Sequence, residues 1–211
     1  SDPELGWFAG FTDEAIAAWT RLAPNRVTVW DWTGNFTDAV TEWPNILSVA
    51  DNIRFFQENG VEAVFLEQPG GEQNWGWLRK WVWARMLWDP DRDPQALMRE
   101  FIAAYYGEKA APFIWEYHRF VDRAARASRY GAATVRWTAF PDLIRAKLFP
   151  DDRLSAMTAL MEGALAAAGE DGPLFRERVR QAVGTSVDAL LLTGAGAPVR
   201  VIDPRDGSPW L

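Results

Sequence analysis

Val27-Thr28-Val29-Trp30-Asp31-Trp32 and, one βα period later, Val61-Glu62-Ala63-Val64-Phe65-Leu66-Glu67 are the two stretches that decide the fold. Each is a short run rich in β-branched and aromatic residues, the composition that favours a pleated strand. Between them, Pro44 introduces a helix that reaches about Asn59, with Ile46, Val49, Ile53 and Phe56 on one face and Gly60 placed to end it. Ahead of the first strand, Ala15, Ile16, Trp19 and Leu22 recur at helical spacing over residues 13–22, behind Thr12 or Asp13 as the cap. A third helix follows from about Gly76 to Trp88. Short apolar strands alternating with helices of this length imply a parallel sheet.

The pattern changes near residue 90. Asp93-Pro94 starts a helix with Leu97, Phe101 and Tyr105 on one face and Gly107 as its stop, and Pro112 opens another carrying Ile114, Tyr117, Val121 and Ala124. Residues 154–168 and 174–192 read as two more, and only a weak strand is expected, at 198–202. The division is therefore residues 1–92, a partial (β/α) barrel, and residues 93–211, a helical C-terminal domain. Two parallel strands leave both sheet edges unpaired, which an independent domain does not tolerate. The expected class is α/β: the last two βα units of a (β/α)8 TIM-type barrel followed by an α-helical C-terminal domain, within a longer protein. The missing strands would come from the remainder of its own barrel or from a second copy of the chain. The compartment stays open; a signal peptide on the parent would make the protein secreted or periplasmic.

Composition removes several function classes. The 211 residues carry 22 basic and 29 acidic side chains, a net charge of -7 that opposes binding to nucleic acid or to anionic membranes. No apolar run is long enough for a membrane span, because Arg85 and Glu162 interrupt the best candidates. Without cysteine and with a single histidine, thiolate zinc sites, thiol nucleophiles and multi-histidine metal sites are excluded. No metal and no cofactor is expected. Thirteen tryptophans against four tyrosines are the anomaly.

Two groups of tryptophans stand out. On a helix over 76–88, Trp77, Trp81, Ala84 and Trp88 form one stripe, with Trp83 and Leu87 about 100° away, so these read as core packing between the two halves. A second cluster sits at strand ends and in the loops after them. Trp30 and Trp32 precede the loop Thr33-Gly34-Asn35, and Glu67 leads into a loop that carries Gln73, Asn74 and Trp75. Functional groups of parallel α/β folds gather at the C-terminal ends of strands. Indoles beside carboxylates and amides suit a carbohydrate, whose C–H face stacks on a ring while its hydroxyls find polar partners. Turn-forming composition would look similar.

Val29 to Phe36, Trp43-Pro44-Asn45, Asn52-Ile53-Arg54-Phe55-Phe56, Gly60-Val61, Arg85 to Pro90, Glu100-Phe101 and Tyr105-Tyr106-Gly107 resemble domain of unknown function 4838, over about residues 10–125. That resemblance implies a glycosidase-like barrel followed by helices. More distantly, Val64-Phe65-Leu66-Glu67 with Leu87-Trp88 resembles the last barrel strand and helix of family 20 hexosaminidases, which implies that Glu67 holds sugar hydroxyls. Phe65 and Leu66 stand where that family would place a tryptophan, and its acid/base pair lies on an earlier strand.

Asp31 and Glu67 are the candidate catalytic carboxylates. Adjacent strands lie about 4.8 Å apart, close to the roughly 5 to 5.5 Å that retaining glycosidases need between carboxyl groups. Trp30, Trp32, Asn35, Gln73, Asn74 and Trp75 are the candidate substrate-binding residues. His118, beside Ile114 and Val121 on one helical face, reads as a hydrogen-bonded core or boundary histidine rather than a catalytic base. Asp89 to Asp93 reads as helix capping, and Arg119, Arg123, Arg126 and Arg129 as a solvated or acid-paired face. Three functions follow: a glycoside hydrolase whose main acid/base pair lies outside this chain, a non-catalytic carbohydrate-binding protein, or a helical scaffold.

Overall fold

The computed structural model describes residues 13–34, 42–68, 75–127 and 149–194. Its elements, in order, are α1 (Asp13–Leu22), β1 (Thr28–Trp32), α2 (Ile46–Glu58), β2 (Ala63–Glu67), α3 (Gly76–Trp88), α4 (Pro94–Tyr106), α5 (Ala111–Ala127), α6 (Asp151–Asp171) and α7 (Pro173–Gly194). β1 and β2 pair in parallel, with Thr28 opposite Ala63 and Trp32 opposite Glu67. The class is mixed α/β, mostly helical with a two-stranded parallel sheet. The weak strand expected at 198–202 lies outside the described residues.

Local chemistry explains the boundaries. Asp93 caps α4 by accepting from the Gln95 amide at 2.9 Å, with Pro94 as the first helical residue. Pro94 loses nothing there, since the first-turn amides have no helical partner. Gly107 ends the same helix at φ 98°, and Gly60 follows α2 at φ 71°. Asn45 holds the N-cap position of α2 yet makes no capping bond, because its side chain is committed elsewhere.

The hydrophobic core runs continuously from Trp43 through α2 to α5 and on to Ala182, across the expected boundary at residue 92. α3 packs on α2 and α4, α4 on α5 and α7, and α6 on α5 and α7. The loop between α3 and α4 is held from α2: the Arg54 guanidinium donates to the carbonyls of Pro90 at 3.0 Å and Arg92 at 2.8 Å. Among the described residues no helix is long and apolar enough to cross a membrane.

One expected packing face is corrected. The stripe of Trp77, Trp81, Ala84 and Trp88 does not carry the α3 core; Trp77 and Ala84 are exposed and Trp88 is 90% exposed. The buried face is Leu78, Arg79, Val82, Trp83 and Met86. The indole N–H of Trp83 donates to the Ile46 carbonyl at 3.0 Å, which fixes α3 against the start of α2. Both stripes are expected in the core; on the second, Trp83 is buried and Leu87 exposed, and on the first only Trp81 is half-buried against the core. α1 departs similarly, with Trp19 and Leu22 exposed although they share its apolar spacing.

Candidate functional site at the strand ends

Alternation along the two strands separates two chemistries. Val29, Asp31, Val64 and Leu66 share the covered face of the sheet, whereas Thr28, Trp30, Trp32, Ala63, Phe65 and Glu67 share the open one. Trp30 is 65% exposed and Phe65 55%, their rings meeting edge to face with centroids 5.5 Å apart. The Trp30 indole N–H donates to Oε2 of Glu67 at 2.7 Å. An ionised carboxylate offers about four acceptor directions, so Glu67 keeps capacity for further donors. Aromatic surface and a carboxylate thus stand together at the C-terminal strand ends.

Asp31 is not part of this group. The register sets it opposite Leu66, one residue out of step with Glu67, so the two carboxylates point to opposite sides of the sheet. The expected pairing of Asp31 with Glu67 as acid and base is therefore corrected: strand spacing permitted it, and the register forbids it. Asp31 is buried, and burial raises its pKa from 3.8 to about 6 against the lowering effect of a hydrogen bond from Asn52 on α2. Its Oδ2 has no hydrogen-bond partner among the described residues.

Trp75 is corrected too. Instead of lining an open pocket it is 2% exposed, at φ 60° immediately before α3, with its ring against Tyr106, Tyr117 and His118. Asn35, Gln73 and Asn74 lie outside the described residues.

Beneath the strand ends lies a buried polar network that the sequence reading missed. Oε2 of Glu42 accepts from the Trp75 indole at 2.8 Å and from the Tyr117 hydroxyl at 2.6 Å. Arg79, also buried, donates to the Asn45 side-chain oxygen and to the Trp43 carbonyl, and the Glu42 charge partly offsets the burial that lowers its pKa to about 10. The Asn45 amide donates in turn to the Thr33 carbonyl at 2.7 Å, and the Thr33 hydroxyl and N–H both donate to the Glu67 carbonyl, at 2.8 and 2.7 Å. A continuous chain of bonds therefore runs from α3 to the backbone of Glu67. It holds the ends of β1 and β2 in register, which is what a site built on them requires.

One signal could have revealed this network. Glu42-Trp43-Pro44-Asn45 sets two polar side chains directly before an apolar helix, and Arg79 interrupts an otherwise apolar stripe. A charge on a core stripe needs a buried partner.

His118 is buried as expected, and burial, with the positive charge of Arg79, lowers its pKa to about 3. Arg119 and Arg123 pair with Glu116, and Arg126 with Asp122 at 2.9 Å, the acid-paired face expected for α5; Arg129 lies outside the described residues. Among the described residues no group of three or more acidic or histidine side chains could hold a metal ion.

No curated protein and no solved structure matches the chain. The family model described as domain of unknown function (DUF4838) matches residues 9–119, more than half of the sequence, across both strands and as far as the middle of α5. The chain belongs to the DUF4838 family.

Proposed function

We propose that β1–α2 and β2–α3 are the last two units of a glycosidase-like (β/α)8 barrel, and that the open face at their strand ends is part of a carbohydrate-binding site. One observation carries this reading: alternation collects Trp30, Trp32, Phe65 and Glu67 on the face away from α2. In a closed barrel the face away from the helices points inward, and its C-terminal end is where substrates bind. The rings offer stacking area to the C–H face of a sugar, and Glu67 accepts from its hydroxyls.

Hydrolysis of a glycosidic bond would use carboxylates on other strands of the barrel. Because Asp31 faces α2, a second reading is favoured over an acid/base role for the Asp31–Glu67 pair: a binding site that orients sugar without cleaving it. Isothermal titration of the protein against a panel of mono- and oligosaccharides tests the site. Saturable heat that is lost in Glu67→Gln and Trp32→Ala supports it, and absence of binding across the panel by folded protein rejects it. Release of reducing ends or of a chromogenic aglycone separates hydrolysis from binding.

A further inference from the structure

The open face of β1 and β2 carries a charge without a counter-charge. Of the side chains on that face only Glu67 is ionisable, and neither strand holds a lysine or arginine. Among the described residues the Glu67 carboxylate forms no salt bridge; its partner there is the Trp30 indole N–H at 2.7 Å. A carboxylate that accepts one hydrogen bond keeps acceptor directions for further donors.

The rings beside it are unmatched in the same sense. The face of an indole or phenyl ring is electron-rich and attracts cations. On the helices that attraction is met from within: Lys80 lies over Trp77 at 4.8 Å, Arg85 over Trp81 at 4.2 Å, Arg99 over Trp115 at 4.8 Å and Arg178 over Tyr105 at 4.1 Å. Among the described residues no lysine or arginine lies over Trp30 or Phe65, although both rings are exposed. The register sets Trp30 opposite Phe65 and Trp32 opposite Glu67, so rings and carboxylate occupy successive cross-strand pairs. This chemistry orders the sugars that the face can take. A uronic or sulfated sugar would bring negative charge to a carboxylate with no basic neighbour on the sheet. A neutral sugar would use the rings and the acceptor oxygens but leave the charge unanswered. A primary ammonium meets both needs, donating charge-assisted hydrogen bonds to the carboxylate and placing positive charge beside the rings.

We propose that the strand-end face selects an amino sugar with a free, protonated amine, which bonds to the Glu67 carboxylate beside the rings of Trp30 and Phe65. The inference rests on the carbohydrate reading of this face and names its substrate class. Acetylation of the amine removes the charge, so the acetylated sugar should lose the preference. Three disaccharides that differ only at C2 test this: chitobiose with free amines, N,N′-diacetylchitobiose and cellobiose. Each is titrated into the protein at about pH 6, where aliphatic amines are protonated. Chitobiose should bind about tenfold more tightly than either of the others, and its affinity alone should fall as sodium chloride is raised. In Glu67→Gln chitobiose should bind no more tightly than cellobiose, and in Phe65→Leu its advantage should shrink about threefold. Equal affinity for the three overturns the proposal while leaving a site for neutral sugars. So does a preference that stands undiminished in either folded variant, which would assign it to the net charge of the whole protein. No binding of any of the three by folded protein removes the carbohydrate reading as well.

Discussion

Tyr117 on α5 donates its hydroxyl to Glu42, ahead of α2, at 2.6 Å, and the acceptor oxygen is the one that also takes the Trp75 indole N–H. Three segments distant in sequence thus converge on one carboxylate oxygen, with Arg79 supplying the balancing charge. Removing one member of a buried charge pair leaves the other uncompensated, which costs more than the pair itself contributes.

Arg79→Met should therefore destabilise the protein by about 3–5 kcal/mol, and Glu42→Gln by a similar amount. The double variant should recover a large part of that loss, because no isolated charge remains. Chemical denaturation of the four proteins gives the coupling energy. Strict additivity would mean that the two groups do not interact.

Asp31 and His118 should oppose each other in their effect on acid stability. With its pKa raised from 3.8 to about 6, folded Asp31 holds a proton that the unfolded chain has lost, so its contribution is full below pH 4 and disappears as pH rises through 6. His118, lowered from 6.5 to about 3, contributes fully above pH 6.5 and loses that contribution as pH falls towards 3. Between about pH 4 and 6 the slopes cancel. Asp31→Asn should unmask the histidine, giving a steeper loss of stability from pH 6.5 to 4 than in the parent. It should also stabilise the protein at pH 8 by roughly 1–3 kcal/mol. Urea titrations at pH 4.5, 6 and 8 check both, and parallel pH profiles would refute them.

Gly107 and Gly184 should respond oppositely to alanine. At Gly107, φ is 98° and ψ 151°, a region open essentially to glycine, and an added Cβ would overlap the Asp171 carboxylate that accepts the Lys109 amide. Gly107→Ala should cost at least about 2 kcal/mol. Gly184 lies within α7 with open space where its Cβ would be, so Gly184→Ala should add about 0.5–1 kcal/mol. Thermal midpoints that move in the same direction would contradict this.

Trp30→Phe separates the ring from its hydrogen bond. The exposed ring remains available for stacking while the donor to Glu67 is lost, so stability should change by less than about 0.5 kcal/mol. Affinity for a bound sugar should fall about tenfold as Glu67 loses its tether. Calorimetry on both proteins measures the ratio, and unchanged affinity would show that Glu67 needs no tether.

The elements themselves were legible because their signals are local. Asp93, Pro94 and Gly107 bracket α4 by chemistry that operates within one turn, and the residues of α2 read as its inner face are all buried, with Ala50 beside them. What was not legible depends on tertiary placement. Asp31 stands one residue before the end of β1 and Glu67 at the end of β2, and only the register, which pairs Asp31 with Leu66, reveals that they face apart. The inner face of α3 is ambiguous in sequence because large aromatics stand on both stripes, and only packing against α2 and α4 selects Trp83 over Trp77 and Trp88. Trp75, in a loop by composition, is drawn into the core by Glu42.

The Arg54 clasp on the carbonyls of Pro90 and Arg92, together with a core that continues past them, bears on how the molecule would behave if cut. A protease nick between Trp88 and Asp93 would break one covalent bond but leave Glu42 joined to Tyr117 and α3 seated against α4. The two pieces should therefore co-elute as a noncovalent complex rather than part as independent modules. Expressed separately, they would each expose half of a shared interior and should need one another in the same cell to accumulate.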